Sequence, residues 1–399
     1  MPTTDTHTTP TSIPQRKLTP DLARGFMLLL IAMAYSGIYL TASDVGGYGS
    51  MPGGSGLDQT VSFTATLLLE NRAFPLFGIM FGIGMVMLVT RQSQKGTSEA
   101  DSRRLLKRRA LWLLVFGIAH AILVFPGEIL AAYGLATLIL AWLLFRPSTV
   151  LARAAAIVSV YYVVVIMLGS LAMGAYAQEM DEGDFAIPGY LTATDWVERM
   201  VSGPIAPLFN VFFFPTLILV IIGIIMGRKG YLDDPERHRH TLRKLAIGGI
   251  TISVLGALPM ALAGAGALDL SDAAYGLTSG LQILTGIIGG IGYVAAFALL
   301  GIRLERSRGP ITRALAAGGQ RSLTLYLYCS VMIAVVMHPD LIGIGDHTHR
   351  AGAVTIAFLI WVSGIVLMRA QDSAGKPGPA DKLLRTLVYR PAKQAKPTN

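Results

Sequence analysis

The decisive stretch of the chain is residues 276–301, GLTSGLQILTGIIGGIGYVAAFALLG, which contains no aspartate, glutamate, lysine or arginine. A helix on the surface of a soluble protein needs a polar face toward water, whereas a helix that crosses a bilayer needs about 20 consecutive apolar residues. Apolar runs of 18 or more residues recur along the chain. The sequence therefore predicts an all-α, polytopic membrane protein.

The composition of the 399 residues agrees with this interpretation, since 53% are apolar and only 14% are charged. A soluble domain has roughly a quarter of its residues charged. These values exclude a soluble enzyme, a secreted disulfide scaffold and a disordered chain. The single cysteine, Cys329, cannot form an internal disulfide or a cysteine-based metal cluster.

Ten membrane spans are predicted with a window of about 19 residues. Their ranges are 22–41, 67–89, 106–124, 129–145, 155–176, 207–226, 245–264, 276–301, 322–337 and 352–369. Of the 33 lysines and arginines, 30 fall in the two termini and in alternate loops, and only Arg72, Arg199 and Arg350 fall on the other side. Since basic loops stay inside, both termini are predicted to be cytoplasmic. The net charge of +9 thus indicates topology, and no nucleic-acid partner is expected.

Three regions follow one another along the chain. Residues 1–15 are rich in threonine, serine and proline and lack the apolar core of a signal peptide, which predicts a disordered cytoplasmic tail. Residues 16–369 form the predicted helical bundle. Residues 370–399 form a second cytoplasmic tail, in which leucines alternate with basic residues over 380–390. That alternation predicts an amphipathic helix on the anionic inner leaflet.

Ionisable residues inside or beside a predicted span are costly and therefore point to function. His120 is the only histidine within a predicted span, and a neutral imidazole there can serve as general base to a hydroxyl or amine. Glu128 follows the tight turn Phe125-Pro126-Gly127 and is expected close to His120. The alternatives are a histidine satisfied by a neighbouring carbonyl and a simple helix-terminal charge at Glu128.

Two further pairs of charged residues lie at opposite ends of the predicted bundle. Glu70 and Arg72, at the outer start of the second span, are expected to complete an outward-facing polar pocket with His120 and Glu128. The alternative for this pair is an interfacial salt bridge.

On the cytoplasmic side, Asp21 and Arg24 share one helix face, so an ion pair between them is geometrically easy. A cation there suits an incoming phosphate or carboxylate, and Arg108 in the adjoining basic cluster adds to the field. The alternative role of that cluster is to set topology.

No metal is expected. The outer loop His338-Pro-Asp340 with Asp346-His347-Thr-His349 has suitable residue types, but their spacing matches no metal motif. A Walker loop, a dinucleotide fingerprint, a GxSxG elbow and an HExxH helix are all missing where their context would require them. An ATPase or a Rossmann enzyme is therefore not predicted.

Four stretches of the sequence together match the motifs of a known protein family. They are Asp21-Leu-Ala-Arg24-Gly25-Phe26; Phe74 to Gly84; Arg108 to Tyr133, with Gly117-Ile-Ala-His120 and Gly127-Glu128-Ile129-Leu130; and Gly319 to Tyr326 together with Gly378 to Tyr389. This set resembles the YeiB family of bacterial membrane proteins, a domain-of-unknown-function family. The resemblance implies a multi-pass protein of the bacterial cytoplasmic (inner) membrane and adds Tyr133 to the candidate substrate-binding residues.

The YeiB family is in turn similar, around the first span and its Arg-Gly pair, to multi-span acyltransferases that pass an acyl group from cytoplasmic acyl-CoA to an acceptor outside. That analogy implies His120 and Glu128 as catalytic residues, and Glu70, Arg72 and Tyr133 as substrate-binding residues. Asp21, Arg24 and Arg108 become donor-binding residues. The expected partners are membrane lipids and a small-molecule, sugar or lipid acceptor, and a homo-oligomer stays open. The alternative function is a transporter or permease, in which the same groups line a substrate or proton path.

Overall fold

The computed structural model describes residues 18–40, 55–176, 187–306 and 309–389, and the regular structure in these ranges is helical throughout. The all-α prediction is confirmed, whereas the predicted tail 1–15 lies outside the described residues. The α-helices are α1 (Thr19–Ser36), α2 (Gly56–Leu68), α3 (Ala73–Gln94), α4 (Glu99–Leu123), α5 (Leu130–Leu140), α6 (Ser148–Tyr176), α7 (Ala193–Phe212), α8 (Thr216–Arg228), α9 (Arg239–Gly264), α10 (Asp272–Arg306), α11 (Pro310–Gln320), α12 (Ser322–Met337), α13 (Arg350–Ser373) and α14 (Pro379–Val388). Short 3₁₀ segments cover Gly37–Tyr39, Ala141–Phe145 and Ile344–His347.

Fewer helices than the predicted ten are fit to cross a membrane. In the described ranges six candidate spans are long and apolar enough, or up to eight if each of two bent helix pairs counts as one. The six are Thr19–Tyr39, Gly56–Gln94, Ser148–Tyr176, Arg239–Gly264, Asp272–Arg306 and Arg350–Ser373. These long apolar helices identify the chain as a polytopic membrane protein with six to eight candidate spans.

The predicted spans 106–124 and 129–145 correspond to α4 and α5, which do not pass the same test. Lys107, Arg108 and Arg109 lie inside the predicted span 106–124 and shorten the apolar part of α4. The apolar helix Leu130–Phe145 rises about 24 Å at 1.5 Å per residue, which is less than the roughly 30 Å of a hydrocarbon core. A hydropathy average over about 19 residues counts both segments as spans, because it smooths over the three basic residues and the short length of the apolar helix.

The two bent pairs involve the predicted spans 207–226 and 322–337: the first bend falls inside 207–226, and the second directly precedes 322–337. Helices α7 and α8 meet at 58° before Thr216, where Pro215 supplies no backbone N–H. Helices α11 and α12 meet at 88° around Arg321, whose backbone leaves the helical region at φ −112° and ψ 36°. The second break places the N-terminus of α12 inside the bundle.

Glycines allow close approach of helix backbones near this break. A Cβ atom on Gly319 of α11 would collide with the backbone carbonyl of Asp21 on α1. On the same face, the indole N–H of Trp361 in α13 donates to the carbonyl oxygen of Gly25 at 3.0 Å. Helix α1 is thus fixed between α11 and α13, and this contact orients the side chains of its first two turns.

Candidate functional site

A cavity of about 440 Å³ opens at the end of the bundle where α1 begins and α3 ends. Four basic side chains belong to its lining: Arg24, Arg91, Lys95 and Arg109. Along α3 the lining runs from Lys95 back to Phe77, a rise of about 27 Å at 1.5 Å per residue. The cavity is therefore long and narrow, with a cationic mouth.

The charges at the mouth favour an anionic ligand. The predicted pairing of Asp21 with Arg24 is present, with Oδ1 and Nη1 3.6 Å apart. The guanidinium of Arg109 lies over the ring of Phe81, 5.8 Å from its centroid. Against the four basic residues the lining contains two carboxylates, Asp21 and Asp381. The resulting excess of positive charge suits a phosphate or carboxylate group.

Helix α14, which overlaps the predicted amphipathic segment 380–390, forms part of the cavity wall through Asp381. The carboxylate of Asp381 accepts hydrogen bonds from the hydroxyl of Thr324 at 2.7 Å, its N–H at 3.0 Å and the N–H of Leu323 at 3.3 Å. Burial raises the pKa of Asp381, and the hydrogen bonds from Thr324 partly offset that effect. Asp381 thereby caps α12 from a helix more than 50 residues further along the chain.

Aromatic rings line the inner part of the cavity. The ring of Tyr133 stacks on Phe81 at 4.8 Å and lies 5.0 Å from Phe77. Tyr326 of α12 also lines the cavity, and the imidazole of His120 lies 5.6 Å from its ring. The structure thus brings Asp21, Arg24 and Tyr133 to one cavity and places His120 directly behind its Tyr326 wall.

His120, in the last turn of α4, is buried at 5% exposure. Neither of its ring nitrogens has a hydrogen-bond partner among the described residues. A histidine with a purely structural role would normally hydrogen-bond a carbonyl, because an unpaired buried polar group costs about 1–3 kcal/mol. The orphaned imidazole is consistent with a group that meets its partner only when a ligand is bound.

Glu128 is engaged with the backbone. Its Oε2 accepts from the N–H of Leu130 at 2.6 Å and its Oε1 from the N–H of Ala131 at 2.7 Å. These bonds satisfy two of the unpaired N–H groups that begin α5. The side chain therefore has the helix-terminal role that was its alternative, and through α5 it positions Tyr133.

Glu70 and Arg72 are not joined to His120 and Glu128 by any hydrogen bond found in the described ranges. Arg72 is fully buried and donates to the hydroxyl of Ser253 at 2.9 Å and to its carbonyl at 2.6 Å. Glu70 pairs instead with Arg350 at 2.5 Å. Helices α9 and α13 thus supply partners of Arg72 and Glu70 that the sequence order does not reveal, and a pocket shared by all four residues stays a prediction.

The structure also replaces one donor-side residue and adds others. Arg108 does not line the cavity, whereas its neighbour Arg109 does, because successive residues on a helix point about 100° apart. Arg91 and Lys95 were missed, although their spacing of four on α3 puts them on one face. Asp381 and Tyr326 lie in the stretches that resemble the YeiB family. Their position in those stretches was the one sequence feature that could have marked them as site residues.

Comparison with known proteins gives one family model and several bacterial relatives whose printed descriptions name no activity. Residues 226–391 match the family model described as "Protein of unknown function (DUF418)". The chain is 24% identical over 343 residues to "Uncharacterized protein YxaH" of Bacillus subtilis (strain 168), over 80% of each chain. It is 26% identical over 345 residues to "Uncharacterized protein YeiB" of Escherichia coli (strain K12), over 82% of this chain and 84% of YeiB. These matches confirm the resemblance drawn from the motifs: the protein is an integral membrane protein related to YeiB and YxaH.

Proposed function

We propose that the protein is a transmembrane acyltransferase, which takes an acyl group from cytoplasmic acyl-CoA and passes it to an acceptor at the opposite face. One observation carries the proposal: Tyr326 lines a long cavity with a basic mouth, and the orphaned imidazole of His120, outside the lining, lies 5.6 Å from that ring. The basic mouth belongs to the charged segments that the positive-inside rule assigns to the cytoplasm.

The donor fits the chemistry of the cavity. Coenzyme A carries phosphate groups at one end, and Arg24, Arg91 and Arg109 at the mouth can bind them as charge-assisted hydrogen-bond donors. The extended pantetheine arm and its acyl group need a narrow, increasingly apolar passage. The lining toward Phe77 and Tyr133 provides one.

The proposed reaction uses His120 as general base. Its neutral imidazole takes the proton of the acceptor hydroxyl while the acceptor oxygen attacks the thioester carbonyl. The carbon–sulfur bond then breaks, the electron pair leaves with sulfur, and the imidazolium returns the proton to give the free coenzyme A thiol. Burial of His120 among apolar residues keeps water from competing for the thioester.

The donor part of the proposal can be tested with palmitoyl-CoA and acetyl-CoA as probes. Isothermal titration on protein in nanodiscs should show binding by the wild type and binding weakened about tenfold or more in Arg24→Ala, since a charge-assisted contact is lost. Arg243→Ala is the matched control, because Arg243 is exposed on α9 and outside the cavity. Equal affinities of the two variants would contradict the donor site.

The transfer step is tested with radiolabelled acetyl-CoA added to inside-out membrane vesicles that contain the protein. Label should appear in lipid or glycan of the vesicle, free thiol should be released in equal amount, and both should depend on His120. Vesicles that contain the His120→Ala variant provide the background.

The bent pair α11–α12 favours a second candidate, a transporter. Broken helices whose termini face a cavity form the substrate sites of many transporters, and Gln320, Ser322 and Leu323 at this break line the cavity. A transporter would accumulate its substrate in proteoliposomes under a proton gradient and would not turn over acyl-CoA. That result would discard the acyltransferase and leave His120 as a candidate proton relay.

A further inference from the structure

Residues 187–192, which we name the plug, pack against the end of α4 that lies away from the cavity mouth. Its Tyr190 donates its hydroxyl to the carbonyl of Val124 at 2.8 Å, and its N–H donates to the carboxylate of Asp340 at 2.7 Å. Val124 directly follows α4 and lies four residues beyond His120, which is about 6 Å along a helix axis. The hydroxyl of Tyr190 therefore contacts the backbone about one helical turn beyond His120.

Arg199 of α7 fastens the plug to the end of α4. Its guanidinium lies 3.7 Å from the centroid of the Tyr190 ring. Its Nε donates to the carbonyl of Gly189 at 2.7 Å, and its Nη1 reaches the carbonyls of Ile122 and Val124 at 3.3 and 3.4 Å. Arg199 is fully buried. One side chain thus bonds both the plug and the helix that carries His120.

Polar aromatic rings fill the space between the plug and the centre of the bundle. The ring of His338 lies 4.8 Å from Tyr190, and Tyr39 lies 6.2 Å from His338 and 6.3 Å from Tyr35. Tyr35 and Tyr39 belong to the same buried cluster as Tyr326, the neighbour of His120. The hydroxyl of Tyr39, at 1% exposure, has no hydrogen-bond partner in the described part of the chain.

We infer that the plug occupies the entrance of a second binding site, through which a carbohydrate-bearing acceptor reaches His120 from the end opposite the donor. Aromatic rings pack against the apolar faces of sugars, and the hydroxyl groups of a sugar would satisfy Tyr39 and His120. The acceptor would take the place of the Tyr190 ring. This inference rests on the proposed role of His120, but access to the site can be measured without any acyl transfer.

The single native cysteine is a reporter for this access. Cys329 lies one turn after Tyr326 on α12 and is 3% exposed. We measure its labelling in intact cells with a membrane-impermeant maleimide. The wild type should react slowly, and Tyr190→Ala should react at least about tenfold faster, because the ring stack and a hydrogen bond that hold the plug are lost. Tyr190→Phe keeps the ring and should give a smaller increase.

Tyr161→Ala is the matched control. It also deletes a tyrosine whose hydroxyl donates to a backbone carbonyl, that of Phe212 at 2.9 Å, but on the surface of α6. Cys329→Ala should abolish all labelling. Labelling of Tyr190→Ala no faster than Tyr161→Ala, or faster only in inside-out vesicles, would overturn the inference. If Tyr190→Ala does not fold, the comparison of Tyr190→Phe with wild type decides. Acyl-CoA turnover is measured separately. If only the proposed function were wrong, turnover would be absent while the labelling of Tyr190→Ala would still be faster than that of the wild type.

Discussion

At the cavity mouth the side chain of Arg24 is 27% exposed and lies 3.6 Å from Asp21, whereas at the other end of the bundle Arg72 and Arg199 are fully buried. Arg350, also at that end, is 9% exposed and lies 2.5 Å from Glu70. The buried arginines bond several backbone carbonyls and one buried carboxylate. Arg24 and Arg72 lie in or beside motif stretches, whereas Arg199 and Arg350 lie in none of them, so the sequence alone does not separate the buried group from the exposed one.

The difference teaches how a membrane protein separates binding from stability. A buried guanidinium must have its donors satisfied by the protein, since breaking a buried pair costs several kcal/mol. A guanidinium that lines a cavity can exchange its surroundings for a ligand at little cost to the fold. We therefore expect substitution of the cavity arginine Arg24 to change activity and substitutions of the buried arginines Arg72, Arg199 and Arg350 to change stability.

The largest expected effect is that of His120→Ala on acyl transfer, a fall of about 10²–10⁴-fold, as is typical when a general base is lost. Thermal stability should stay nearly unchanged, because neither ring nitrogen has a partner to lose among the described residues. Label transfer from acetyl-CoA and thermal unfolding in detergent measure the two quantities. His240→Ala, at an exposed position of α9, is the control. A His120→Ala variant that is destabilised but fully active would show that His120 serves stability and not catalysis.

Next is Arg350→Met, which should lower the free energy of unfolding by about 3–5 kcal/mol because Glu70 is left buried without its partner. The double variant Glu70→Gln with Arg350→Met should recover a large part of that loss, since no buried charge then stays unpaired. Denaturant unfolding in mixed micelles gives the values. If Arg350→Met were as stable as the wild type, the ion pair between Glu70 and Arg350 would not stabilise this end of the bundle.

A smaller effect is expected for Thr324→Val, about 1–3 kcal/mol, because the carboxylate of Asp381 loses one of its hydrogen bonds. Hydrogen exchange in α14 should rise, since this contact ties α14 to α12. Thr355→Val is the matched control, as its hydroxyl bonds only a carbonyl of its own exposed turn. Equal exchange in both variants would show that α14 is held elsewhere.

The smallest effect is expected for Arg103→Ala, less than about 1 kcal/mol in stability, because its pair with Glu99 is exposed. Arg103 is outside the cavity lining, so affinity for palmitoyl-CoA should match the wild type. Unchanged affinity for palmitoyl-CoA would assign Arg103 to the basic residues that set topology, in contrast to those that bind the donor. Weaker binding would extend the donor site along α4.

The helical class and the membrane character could be predicted from the sequence because apolar runs and loop charges are local properties. The count of spans could not, since α11 and α12 meet at 88° just before the predicted span 322–337, and Lys107, Arg108 and Arg109 lie inside the predicted span 106–124. The bend between α11 and α12 depends on which helix packs against it. Gly319 against Asp21 is one example, because it joins residues almost 300 positions apart.

The candidate site could be predicted in part. Asp21 with Arg24 follows from helical spacing, and His120 and Tyr133 lie in motif-like stretches that the fold brings near one cavity. The placement of Glu70 and Arg72 could not be predicted, because their partners Arg350 and Ser253 come from distant helices. Spacing along the sequence identifies which residues share a helix face, but it does not identify the neighbouring helix.

The cap that Asp381 places on α12 has a consequence for biosynthesis. Among the described helices α14 is made last, so α12 leaves the ribosome before the carboxylate that satisfies its first N–H groups. A nascent chain that stops before Pro379 already holds every candidate span but not the cavity wall formed by Asp381, Leu384 and Tyr389. Completion of the cavity thus depends on synthesis of α14, and a product terminated before Pro379 lacks this part of the wall.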